Sequence, residues 1–159
     1  MKIEINPYDP KSIDNALAQV RAYKADLERK KNLLTGRLAE LGLQVASVGF
    51  ALADYDGTND VSVTINQSGT GVNIVASGEA VCFIEFGSGV RYGYGYPAED
   101  KPAGMAGIGE YGKGQGANEK GWFYGYKQHT YGNPPAMAML TARDTMVEQI
   151  TQIAREVFG

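Results

Sequence analysis

With one histidine and one cysteine in 159 residues, few catalytic chemistries are open to this chain, and His129 and Cys82 come first. A nucleophile-and-base arrangement needs a nucleophile and an orienting acid around the imidazole, and no G-x-S-x-G elbow occurs. His129 lies in the polar stretch Gln128-His129-Thr130-Tyr131-Gly132. A metal site draws on several ligands of the usual types, so this setting predicts a local hydrogen bond. Cys82 sits in Ala80-Val81-Cys82-Phe83-Ile84, the setting of a small buried hydrophobe. A lone thiol closes no intrachain disulfide and builds no cysteine metal cluster.

Other patterns fail on context. Gly107-Ile108-Gly109-Glu110-Tyr111-Gly112 matches G-x-G-x-x-G, but the dinucleotide fingerprint needs a strand before it and a helix opening within it. Glycine-rich sequence flanks it on both sides. Gly112-Lys113-Gly114 lacks the spacing of a phosphate-binding P-loop. Asp54, Asp56 and Asp60 surround Gly57 without the loop length or terminal Glu of a calcium-binding hand, and read as turn residues. Glu79 and Glu85 lie in or beside an apolar run, with no second acid paired to either. The sequence therefore predicts no enzyme, no cofactor and no metal.

Charge and composition narrow the partners. A formal charge of −3 gives no global pull toward nucleic acid or an anionic membrane. Arg29, Lys30 and Lys31 are balanced by Asp26 and Glu28, so no basic stripe forms. Neither a secretory signal nor an apolar run of about 18 residues is visible, which predicts a protein made in a cytoplasm. The hydrophobic share of 43 % and charged share of 21 % are those of a globular domain. The length fits one domain, residues 1–159.

The elements that must position these residues fall into four zones. Asp9-Pro10 reads as an N-cap followed by proline at the first helical position. Ile13, Leu17, Val20, Leu27, Leu34, Leu38 and Leu41 then recur at spacings of three, four or seven, one face of a helix over 9–42 about 50 Å long. Lys24 and Lys31 interrupt the stripe. Gly36 is a point of bending and Gly42 a C-cap. A helix of this length with so narrow a stripe lies either on its own sheet or partly on another subunit. Residues 45–53, 61–66, 72–76 and 80–86 are rich in Val, Ile and Phe and separated by turn signals, which predicts antiparallel strands within 45–87. Val61, Val63 and Ile65 alternate with polar residues, as in a strand with one wet face.

Residues 88–133 read as a long Gly/Tyr-rich loop. The stretch 87–132 holds 13 of the 21 glycines and 7 of the 10 tyrosines. Tyrosine joins a large contact area to a polar tip, and so long a loop inside a domain is usually functional or disordered. Tyr92, Tyr94, Tyr96, Tyr111, Trp122, Tyr124 and Tyr126 are the candidate interface residues. The loop either orders against a neighbour or folds back on its own sheet, and Trp122 anchors its return in the core or at an interface. After Pro134-Pro135, Met139, Ala142, Met146, Ile150, Ile153 and Val157 form the stripe of a helix over 135–158. The order gives an α+β domain: an antiparallel sheet of three to four strands packed by the two helices.

The second half of the chain resembles a known family. Phe83-Ile84-Glu85-Phe86-Gly87-Ser88-Gly89, then Gly121-Trp122, then His129-Thr130-Tyr131-Gly132, then Pro134-Pro135-Ala136-Met137 and a helix, are similar to the gene-ten-like neck and tail-completion proteins of long-tailed phages. The likeness runs from about Ala80 to the C-terminus, roughly half the chain, and the N-terminal helix agrees only in type. Its motif residues are Glu85, Phe86, Gly87, Gly89, Gly121, Trp122, His129, Thr130, Gly132 and Pro135. Met137-Ala138-Met139 stands where Phe is often found, and the insertion over 92–116 is long for the family. The resemblance implies a virion protein without catalysis: a homo-oligomeric ring, often of six subunits, between portal and connector on one side and tail on the other. Such a ring lies near DNA without reading its sequence. The other reading of the same residues is a non-enzymatic binding module of a phage or adhesion apparatus, whose Gly/Tyr loop recognises glycan or peptide.

Overall fold

The first helix, α1, begins at the cap its sequence encodes. Asp9 has extended backbone, its side chain accepts the Lys11 amide at 3.0 Å, and Pro10 opens the helix. The computed structural model describes residues 3–69, 71–89, 96–100, 118–124 and 128–159. Helix α1 spans Pro10–Ala51, about 63 Å at 1.5 Å per residue. It therefore runs past Gly42 and takes in most of 45–53, which the sequence assigned to a strand. The cause is a second pattern under the β-branched residues. Ala39, Gly42, Ala46 and Phe50 recur at spacings of three and four, and all are buried. The Asn59 amide donates to the Phe50 carbonyl at 2.8 Å, satisfying one acceptor of the last turn.

Strands β1 (Ser62–Ser68) and β2 (Gly71–Ser77) form an antiparallel hairpin, with Ser62 opposite Ser77 and Ser68 opposite Gly71. Val63 and Ile65 are half-buried between exposed Ser62, Thr64 and Asn66, so the alternation faces one side inward. A short helix, α2 (Val81–Phe86), follows. This corrects the expected strand over 80–86: an apolar run of six or seven residues carries no period that separates strand from buried helix. The remaining strands, β3 (Trp122–Tyr124) and β4 (Gln128–Thr130), pair as a second small antiparallel sheet. They lie inside the stretch expected to be loop, which also contains a 3-10 turn at Ala98–Asp100. Among the described residues the sheets are thus two separate pairs, β1–β2 and β3–β4, in place of one sheet of three to four strands. The insertion over 92–116, with Tyr92, Tyr94 and Tyr111, and also Tyr126, lies essentially outside the described residues.

The C-terminal helix, α3 (Ala138–Phe158), starts three residues later than the prolines suggest, after Met137 at φ +52°. It packs antiparallel to α1. A Cβ on Gly49 would lie 2.7 Å from the Cβ of Ala138, and one on Gly42 would lie 2.6 Å from Sδ of Met146. Further along, Arg37 pairs with Glu156 at 3.0 Å, and the Lys30 ammonium sits 5.9 Å from the ring centre of Phe158. Small residues let the two helices approach closely. The core is compact in residue number: Phe50, Ala80, Ile84 and Ala138 are buried, with Val61, Val63, Ala76 and Met139 packed around them. It therefore lies where the end of α1, the hairpin, α2 and the start of α3 meet.

Candidate functional site

Helices α2 and α3 both start without a local side-chain cap, and in each case an acid from earlier in the chain supplies it. Helix α2 follows Ala80, which has no cap side chain. Asp60 reaches across, with Oδ2 accepting the Glu79 amide at 2.7 Å and Oδ1 the Ala80 amide at 2.9 Å. These two bonds, Ala80 first, hold the Asp60 carboxyl below the usual aspartate range. Helix α3 likewise starts without a capping side chain at Met137. Glu85 supplies it from the end of α2: Oε2 accepts the Met139 amide at 2.9 Å and Oε1 the Leu140 amide at 3.1 Å. An acid at a helix N-terminus meets both the unpaired amides and the positive end of the dipole.

Glu85 is 3 % exposed. Its third partner is Tyr96, whose hydroxyl donates to Oε1 at 3.2 Å. Tyr96 is itself buried and stands edge-on to Phe86, with ring centres 4.7 Å apart. Burial first, and then the charge of Glu85, raise its phenol well above the ordinary value of 10. Tyr96 was an interface candidate from sequence; here it packs inside its own subunit and fixes the Glu85 carboxyl.

The exchange between α2 and α3 runs both ways. Three carbonyls of the last turn of α2 find donors in the segment before α3. The Asn133 side-chain amide donates to Phe83 O at 2.8 Å, the Ala136 amide to Ile84 O at 2.8 Å, and the Met137 amide to Glu85 O at 3.2 Å. Beyond α2, Ser88 and Asn133 exchange two backbone bonds, at 3.0 and 3.2 Å, and their side chains also meet. The two segments approach so closely that side chains are excluded. A Cβ on Gly132 would lie 2.0 Å from Ser88 O, and one on Gly89 would lie 2.3 Å from Tyr131 O. Both glycines also hold positive φ, +98° and +80°. Gly87 sits in the same crossing, against Pro135.

The other motif residues flank this junction. Gly121 precedes β3 against the Thr130 carbonyl. Trp122 is half-buried and pairs across the sheet with Thr130. Thr130 is buried, and its Oγ1 accepts the Gly132 amide at 2.9 Å. His129 is edge-on between Phe123 and Tyr131, with ring centres 5.0 and 4.8 Å away. Tyr124 lies in β3 opposite Gln128. Cys82 is half-buried and free. Among the described residues no three His, Cys, Asp or Glu side chains converge as a metal-binding group. Glu85 accepts from two backbone amides of α3 and from the Tyr96 hydroxyl, so its carboxylate ties the end of α2 to the start of α3.

Sequence reasoning missed Asp60 as a cap and Asn133 as a clamp. Asp60 carries a turn signal in the sequence, and its partners come 19 and 20 positions later. Asn133, before two prolines, carries a turn signal but none that names Phe83 as its partner. Comparison with known protein families, curated proteins and solved structures gave no match.

Proposed function

We propose that this chain is a structural subunit of a tailed bacteriophage particle, a ring-forming head–tail connector or tail-completion protein of the neck, acting without catalysis. The observation that supports it is the α2–α3 junction. The stretches on which the family resemblance rests, 83–89 and 129–137 with 121–122 beside them, fold against one another there, though they are far apart in sequence. Short motifs that meet in space behave as one fold signature, held by the Glu85 cap and the glycine crossing.

In this reading the subunit makes a homo-oligomeric ring, often of six copies, in the virion between portal or connector and tail proteins. Closed rotation of one contact from copy to copy produces such a ring. DNA passing through it is met without sequence-specific contacts. No described helix is long and apolar enough to cross a membrane. Two-stranded sheets leave edges open, and edge pairing between identical copies is one route to the wider sheet of three or four strands.

Electron micrographs of the purified protein test the assignment. Closed rings of about six copies are the expected result, since cyclic closure is the usual outcome of a repeated contact. A dispersed monomer that binds glycan or peptide through its Gly/Tyr-rich segment is the contrary result.

A further inference from the structure

Helix α3 ends beside Lys30 of α1, where the Lys30 ammonium meets the Phe158 ring. About 20 residues of α1 lie beyond that point toward its N-terminus, roughly 30 Å of helix. Ile13, Leu17, Val20 and Leu27 line this arm and are 42 %, 48 %, 47 % and 44 % exposed. Their spacing is regular. From Ile13 through Leu17, Val20, Lys24, Leu27, Lys31, Leu34, Leu38 and Leu41 the steps alternate four and three without a break. That is the repeat of a helix that packs along another helix. The same repeat continues into the body, where Leu34, Leu38 and Leu41 are half-buried.

Charge selects the occupant. Residues 10–31 carry six basic side chains, Lys11, Arg21, Lys24, Arg29, Lys30 and Lys31, against three acidic ones, Asp14, Asp26 and Glu28, a net of +3. The whole chain is −3, so the rest of it is −6. Two arms laid together oppose +3 with +3, with Lys24 and Lys31 on the contact line. An arm laid on α3 of another copy meets Asp144, Glu148 and Glu156 against Arg143 and Arg155, a net of −1 in place of +3. The body offers a matching apolar face. Val147, Ile150 and Phe158 of α3 are exposed at helical spacing, beside an open hollow of about 620 Å³ that Ile150, Ala154 and Phe158 line.

We infer that the N-terminal half of α1 is a docking arm, which lays its Ile13–Leu17–Val20–Leu27 stripe on the outer face of α3 in a second copy of this chain. Arm and receiving face are different surfaces, so the contact is head-to-tail and propagates from copy to copy until it closes. The inference rests on the ring reading and names the contact that builds the ring.

The experiment uses the full chain, with a photo-reactive benzoylphenylalanine in place of Val20, and separately the double variant Leu17→Asp, Val20→Asp. Both positions are exposed, so folding is retained, and helix content by circular dichroism checks it. Expected are crosslinks from position 20 to 147–158 of another copy, association weaker by about tenfold or more in the double variant, and weaker association of the wild type as salt rises. Crosslinks from arm to arm overturn the inference, as does a wild type that stays monomeric at every concentration. Rings that persist unchanged in the double variant overturn the arm and leave the ring reading standing.

Discussion

Oε1 of Glu85 accepts the backbone amide of Leu140 at 3.1 Å, although the two residues are 55 positions apart. With the Met139 amide on Oε2 and the Tyr96 hydroxyl on Oε1, this acid joins the end of one helix to the start of the next. Buried amides left without an acceptor are costly. Glu85→Gln is therefore expected to lower unfolding free energy by about 1–3 kcal/mol and Glu85→Ala by at least as much, whereas Tyr96→Phe costs about 1 kcal/mol. Chemical denaturation of the three variants checks the order.

The glycine crossing gives a comparison free of any cap. Gly132 and Gly69 both have positive φ, but a Cβ at Gly69 meets nothing within 4 Å, whereas at Gly132 it would strike the Ser88 carbonyl. Gly132→Ala is expected to cost clearly more than Gly69→Ala, which pays only the left-handed penalty of about 1 kcal/mol. Thermal melting of the two variants, side by side, is the check.

Asp60 ties stability to acid pH. Its carboxyl is held below the ordinary value of 3.8 by the Ala80 and Glu79 amides. The folded state thus binds the proton more weakly than the unfolded one. The stabilisation is present in full above 3.8, declines as pH falls below it, and is lost once pH passes the depressed folded value. Asp60→Asn is expected to flatten that part of the stability profile, measured by urea titration at a series of pH values.

Close packing of α1 on α3 depends on small side chains, and Ala46 is wholly buried in it. Ala46→Leu is expected to cost about 1–3 kcal/mol through overpacking. Leu17→Ala, on the exposed arm, leaves the unfolding free energy of the free subunit, measured by chemical denaturation, within about 0.5 kcal/mol of wild type.

What could be read from the sequence was local chemistry. The start of α1 is encoded by adjacent residues, Asp9, Pro10 and Lys11, and the inward side of β1 by simple alternation at Val63 and Ile65. The 80–86 run was misread because its helix depends on remote partners, with Asp60 at one end and Asn133, Ala136 and Met137 at the other. The 45–51 stretch was misread because β-branched residues masked the spacing of Ala39, Gly42, Ala46 and Phe50. At the junction the identities of Glu85, Gly87, Gly89, Gly132 and Pro135 stood out through the family resemblance, but their roles did not. The two amides that Glu85 caps, those of Met139 and Leu140, are more than 50 positions away and meet it only once α3 folds back over α2.

The solution mass of the purified protein, by light scattering over a wide range of concentration, tests the central claim most directly. The subunit mass is 17.1 kDa. A discrete, concentration-driven assembly near six such masses is the result the ring predicts, with interfaces as the seat of function. One subunit mass at every concentration, with no ring in the same samples by electron microscopy, would contradict it.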